Sequence, residues 1–251
     1  MLRREKTIFE HGFTLVELLV VISIISLLSS VSLAAFNTAR ERARVTAALQ
    51  FATSVDHFLG ADRVGVWEIE EGSGTTLTDL SGYGNSGSFS GLSWEIDRPK
   101  GNWALSSFSS SNFVTVPSSA KYNFGTGDFT ISLWYKTLAP ANAYAFLSRR
   151  TDWVLGIYNN KITFSCVCIG SGSFTAIAPQ DGRWHHVAVS TNATGITYYF
   201  DGRNVGSYAR TDTLTNLNAP LLFGYDPGAG TEFSALNGLM DDVRIYAAAI
   251  P

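Results

Sequence analysis

Apolar side chains fill almost every position from Leu15 to about Phe36, with one charge, Glu17, near the start. As an α-helix this stretch spans about 33 Å, roughly the hydrocarbon thickness of a bilayer. A carboxylate set in that run is costly in lipid unless something pairs with it, so Glu17 implies a partner. No Gly or Pro occurs from Phe13 to Leu59, and Ala39, Ala43, Ala47, Leu49, Ala52, Val55 and Leu59 recur at about helical spacing. The pattern predicts one helix of about 70 Å ending at Gly60, apolar all round at first and amphipathic afterwards. Such a helix leaves a membrane and packs a folded domain against its second half.

Beyond Ala61 the period changes from helical to alternating. Phe129, Ile131, Leu133 and Tyr135 fall on one face of a strand, as do Ile196, Tyr198 and Phe200. Asp201-Gly202 and Asn159-Asn160 are two-residue hairpin signals, the second between Trp153–Ile157 and Lys161–Ser165. Leu221–Phe223 and Leu239–Tyr246 supply late strands. Ten or more short strands joined by tight turns predict an all-β sandwich over residues 63–251.

Composition narrows this picture. The chain has 251 residues and a net charge of -3, which gives no electrostatic reason to expect nucleic acid as a partner. About 190 residues beyond the predicted helix are enough for one core. Arg3, Arg4 and Lys6 precede the apolar run and favour a cytoplasmic amino terminus. A secretory signal peptide has a shorter apolar core, followed by a small-residue cleavage site, and the run here is too long. The two cysteines, Cys166 and Cys168, share a strand face, a geometry that does not favour a mutual disulfide. They read as small buried hydrophobes, with an intermolecular crosslink as the alternative.

The order Gly12-Phe13-Thr14-Leu15-Val16-Glu17 ahead of the apolar run resembles the prepilin signal of type IV pilins and pseudopilins. The resemblance implies a leader over residues 1–12, cut after Gly12 by prepilin peptidase. It also implies methylation of the new amino terminus, Phe13, and a helix over 13–60 that crosses the membrane at about 15–36. Glu17 would then meet the Phe13 amino group of a neighbouring subunit as the helices pack into a filament with other pilins. The precursor would reside in the inner membrane and the assembled subunit outside the cell. Many pilins carry a disulfide near the carboxyl end, and this chain has no cysteines there.

A second resemblance covers Arg63–Tyr246. Its pieces are Gly65-Val66-Trp67, Thr78-Asp79-Leu80-Ser81-Gly82, Phe113–Pro117, Phe129–Trp134, Gly182-Arg183-Trp184-His185-His186, Tyr198–Gly202 and Phe233–Tyr246. In order and spacing they are similar to a laminin-G-like, concanavalin-A-type jelly roll. The family usually continues past the last strand with a short helical tail, so a trimmed closing segment is expected at Pro251. A long N-terminal helix followed by a concanavalin-A-like jelly-roll sandwich is therefore the expected fold. The expected function is a pilin-like filament subunit displaying an adhesive, lectin-like sandwich to a glycan or surface ligand. A pseudopilin of a secretion system is the alternative, and a structural major subunit another.

Candidate chemistry is sparse. The resemblance implies a structural Ca2+ held by the Asp79–Gly87 loop and the last strand, through Asp79, Asn85 and Asp241; calcium favours several oxygen ligands. The competing reading is an Asx turn at Asp79. Asp242 is expected on the face opposite Asp241. His185 and His186 point to opposite sides and do not share a metal. Trp134 and Trp184 read as sandwich core, with a sugar platform as the alternative. Tyr144, Trp153, Tyr208 and Tyr225 are candidates to stack on sugar rings if exposed. A membrane-anchored glycan-processing enzyme would need the Glu-x-Asp-x-x-Glu of laminarinase-like hydrolases. Glu95-Ile96-Asp97-Arg98-Pro99-Lys100 departs from it, since Lys100 stands where the acid is required. No enzymatic activity is expected.

Overall fold

The apolar run and the segment after it form one α-helix, α1, Leu15–Phe58. It belongs to a computed structural model that describes residues 13–97, 101–139, 143–149, 152–166, 173–177, 179–210, 214, 218–227 and 233–251. The helix stops before Gly60, and a short 3-10 turn, Gly60–Asp62, leads into the first strand. The chain divides into a unit ending at Arg44 and a unit spanning Val45–Pro251.

In the first unit α1 is long and apolar enough to cross a membrane. Its large apolar side chains, Leu15 through Phe36, stand exposed. Three hydroxyls in the run bond within the helix: Ser23 and Ser26 donate to the carbonyls of Leu19 and Ile22, and Ser30 to that of Leu27. Such back-bonding suits a helix in apolar surroundings, where water cannot take those donors.

The second unit holds two sheets of predominantly antiparallel strands. One runs Arg203–Ala209, Gly195–Phe200, Trp184–Thr191, Phe129–Thr137, Gly238–Tyr246, Ala104–Ser106, Ser93–Glu95, with Arg63–Trp67 also paired to Gly238–Tyr246. The other runs Ser173–Ile177, Lys161–Cys166, Trp153–Tyr158, Ala143–Ser148, Leu221–Phe223, Val114–Val116, Gly87–Ser88, Thr76–Leu77, with Ser234–Ala235 added parallel to Ala143–Ser148. Phe129, Ile131, Leu133 and Tyr135 all enter the core between the sheets, as the alternation requires, with Ile196 and Tyr198 on the same inner face of that sheet and Phe200 partly buried beside them. Both predicted hairpins turn with positive φ at each central residue: Asn159 and Asn160 at 49° and 60°, Asp201 and Gly202 at 47° and 79°. These values match the mirror-image turns that fit the twist of paired strands.

The outer face of the first sheet is covered by the part of α1 from Val45 onward. Ala48 meets Trp134, Trp184, Ala104 and Leu239, with Val45 and Leu49 beside them. Val55 and Leu59 meet Tyr246, with Phe51 beside them. Ala48, not Ala47, lies at the centre of the packed stripe, and Ala47 is exposed.

Candidate functional site

At the start of α1, Thr14 and Glu17 close on each other. The Glu17 carboxylate accepts from the Thr14 backbone N–H at 2.8 Å and from its hydroxyl at 2.7 Å, while the Glu17 N–H donates to Thr14 Oγ1 at 3.2 Å. This is a reciprocal capping box, which satisfies N–H groups that the first helical turn leaves without partners. The first described residue, Phe13, is exposed, and Gly12 lies outside the described residues. The Glu17 carboxylate thus sits one turn from Phe13, held by donors of its own chain.

The Asp79 loop is closed by hydrogen bonds. Asp79 Oδ1 accepts from the N–H groups of Val66 and Ser81 at 3.0 and 2.9 Å; Oδ2 accepts from the Ser81 hydroxyl and the Asn85 N–H, both at 2.8 Å. Two donors on each oxygen use the lone pairs of the carboxylate. Asn85 turns its side-chain amide inward, donating to Val64 O at 3.2 Å, and its backbone carbonyl accepts from Trp67 Nε1 at 3.1 Å. Asp79 and Asn85 are therefore brought together, but as an Asx-type turn. Asp241 lies elsewhere, opposite Trp134 on the helix-covered face of the first sheet. Among the described residues no three His, Cys, Asp or Glu side chains gather as a metal site. The residues present do not fit a calcium ion shared by Asp79, Asn85 and Asp241.

Asp242 differs from its expected place. The strand register shifts between Asp241 and Arg244, and Asp242 has φ 46°. This bulge inserts one extra residue, so Asp241 and Asp242 both face outward while Met240 and Val243 face the core. Asp242 meets Arg244 Nε at 2.7 Å there.

The aromatic candidates also sort differently. Trp134 and Trp184 are buried, but under α1 and not between the sheets. Tyr144 and Trp153 are buried in the inter-sheet core, so neither offers a face to a sugar. Tyr225 is half-buried and packs on Phe113, and Tyr208 is 40% exposed. His185 and His186 do point apart. His185 stacks on Phe200 and bonds Asp201 and Asp181; His186 lies against Phe51 and Trp134, with Nε2 2.7 Å from the Ser132 hydroxyl. Glu95 and Asp97 line one pocket. Asp97 is ion-paired with Lys136 and accepts from Trp184 Nε1 at 3.2 Å. The Cys166 side chain and Cys168, with Arg98, Pro99 and Lys100, lie outside the described residues.

The family model for the concanavalin A-like lectin/glucanases superfamily matches residues 108–251. The chain belongs to that superfamily. A second model, the prokaryotic N-terminal methylation motif, matches residues 9–33. No curated protein is significantly similar in sequence. Among solved structures, the binding domain of Paraclostridial Mosquitocidal Protein 1 aligns with TM-score 0.64 and 16% identity, over 77% of this chain and 50% of that one. Domain 4 of AbnA, a GH43 extracellular arabinanase from Geobacillus stearothermophilus in complex with arabinotriose, aligns with TM-score 0.58 and 16% identity, over 76% and 94%. A botulinum neurotoxin type C structure, described by dependence of cell entry on two ganglioside molecules, aligns with TM-score 0.59 and 19% identity, over 78% and 50%. The chain spans about half the length of those toxin structures. At these identities the likeness is one of fold.

What the sequence did not reveal in this lectin-like domain is how α1 is fastened to it. Asp56 is the hub. Its carboxylate accepts from Arg63 at 2.8 and 2.6 Å, from Arg244 Nη1 at 2.8 Å and from the Tyr246 hydroxyl at 3.0 Å. Arg244 is 8% exposed and also meets Glu68 at 3.0 Å. Burial alone would raise the Asp56 carboxyl, but Arg63, Arg244 and Tyr246 together hold it below the ordinary carboxylate value. The Tyr246 phenol is pushed up, by burial first and then by the Asp56 charge. No spacing rule links positions 56, 63, 244 and 246, so this cluster had no signal in the sequence.

Proposed function

We propose that the chain is a prepilin whose mature form, beginning at Phe13, is a type IV pilin-like filament subunit carrying a carbohydrate-binding sandwich as its displayed head. One observation carries this: an N-terminal methylation motif and a lectin-like sandwich are joined by a single uninterrupted helix. Residues 1–12 are the leader, prepilin peptidase cuts after Gly12, and Phe13 becomes the methylated terminus. The segment 15–36 holds the precursor in the cytoplasmic membrane and then packs against other pilin helices in an extracellular filament. Its exposed apolar surface is the area which that packing covers. The sandwich acts by binding, without catalysis.

The capping box gives Glu17 a defined place before assembly. After cleavage the Phe13 ammonium of a neighbour offers a stronger, charge-assisted partner than the Thr14 hydroxyl. Two opposite charges meeting in an apolar bundle offset each other's desolvation and fix the axial register. Glycan binding is supported by proteins of the same fold, one solved with arabinotriose and one described as interacting with gangliosides.

The test is Glu17→Ala in the full chain, following membrane insertion and filament incorporation separately. Insertion is expected to persist while incorporation falls at least about tenfold, the loss of one charge-assisted contact of about 1.5–3 kcal/mol. Normal incorporation would overturn the assembly role of Glu17.

A further inference from the structure

The Glu95–Asp97 segment did not complete a hydrolase motif, yet it lines a pocket of about 430 Å³ at the edge of the first sheet. Glu95, Asp97, Ser107 and Asn237 supply polar groups, and Phe108 and Leu138 supply apolar surface. The volume falls within the range of small-molecule sites. Phe108 reaches its position because residue 224 has no side chain: a Cβ on Gly224 would stand 2.1 Å from Phe108 Cδ1. Ser107 holds a left-handed backbone, φ 68°, which is strained for a residue with a Cβ. Leu138 is 60% exposed, and its N–H bonds the Asn237 carbonyl at 2.8 Å, joining the two ends of the rim.

The charges select the ligand. Asp97 is neutralised by Lys136, and Trp184 Nε1 donates to its other oxygen. Glu95 is exposed and is touched by the Ser106 hydroxyl at 3.3 Å. Among the described residues one net negative charge therefore remains at the rim, which disfavours phosphate, uronate or sialate. It suits hydroxyl donors, with the Asn237 amide able both to give and to accept. An apolar patch beside these groups matches the C–H face of a sugar ring. Hydrolysis needs one carboxylate as nucleophile or base and another as a proton donor. An Asp97 tied to a lysine is poorly placed for either part.

We infer that this pocket, bounded by Glu95, Asn237 and Leu138, is the sugar-binding subsite of the sandwich and takes a neutral saccharide residue. This rests on the reading of the sandwich as a carbohydrate-binding module. The experiment uses the full chain in detergent micelles, titrated calorimetrically with methyl glycosides of neutral hexoses and pentoses, and with glucuronate and sialate. At least one neutral glycoside is expected to saturate the protein. Glu95→Ala and Asn237→Ala are each expected to weaken it about tenfold, the scale of one lost hydrogen bond to an exposed polar group. Both residues are exposed, so neither change threatens folding, which circular dichroism checks. Three results would overturn the inference: no neutral glycoside binding below ~100 mM; equal affinity in the double variant; or preference for the anionic sugars. Filament incorporation is scored in parallel. A chain that assembles without binding sugar refutes this subsite alone, and one that binds sugar without assembling refutes the filament role alone.

Discussion

His186 shows how one side chain can set the response of the domain to acid. It is fully buried beneath α1, between Phe51 and Trp134, and its Nδ1 has no hydrogen-bond partner among the described residues. Burial pulls the imidazole down to about 4, against smaller opposing pulls from Asp242 and Asp201 and a further lowering by Arg244. Between about pH 6.5 and about 4 the unfolded chain therefore holds a proton that the folded chain refuses. Stability must fall as pH drops through that window, by about 3 kcal/mol for this residue. In a domain of this size that is a drop of about 6–12 °C in thermal midpoint. Tryptophan-detected melting across that pH range is expected to show it, and His186→Gln is expected to flatten it. An equal slope in both proteins would assign the acid response to other groups.

The fastening of α1 to the sheet is a matter of elements. Apolar contacts from Ala48, Val55 and Leu59 provide area, while Asp56 provides direction by gathering Arg63, Arg244 and Tyr246. Asp56→Ala leaves a buried guanidinium and a buried phenol short of an acceptor, at a cost of about 2–4 kcal/mol. The exposed Gln50→Ala on the same helix is expected to cost under about 0.5 kcal/mol. Denaturant unfolding of the two variants checks the contrast. The alternation of Phe129–Tyr135 and the Asn159-Asn160 and Asp201-Gly202 turns were legible because period and turn chemistry are local. The position of Trp134 was not. Alternation separates two faces of a strand but does not say that the outer one is roofed by a helix from about 80 residues upstream. The Asp241-Asp242 bulge was hidden for a related reason: one inserted residue reverses a face without leaving a Gly to mark it.

At the scale of the molecule, two sequence signals of different reach meet in one chain. The methylation motif, matched over residues 9–33, is short and local and was readable at once. The sandwich is diffuse, its pieces weak singly and recognisable only in order across Arg63–Tyr246. The Glu95–Asn237 pocket was illegible because it joins residues about 140 positions apart. In the proposed function these parts form one device: a helix that leaves the membrane to build a filament, and a sandwich that meets a ligand outside. Peptide mass spectrometry of sheared, purified surface filaments tests that most directly. The predicted result is sandwich peptides together with an amino-terminal peptide beginning at N-methylated Phe13. Sandwich peptides confined to the membrane fraction, with Met1 or another residue as the amino terminus, would contradict it.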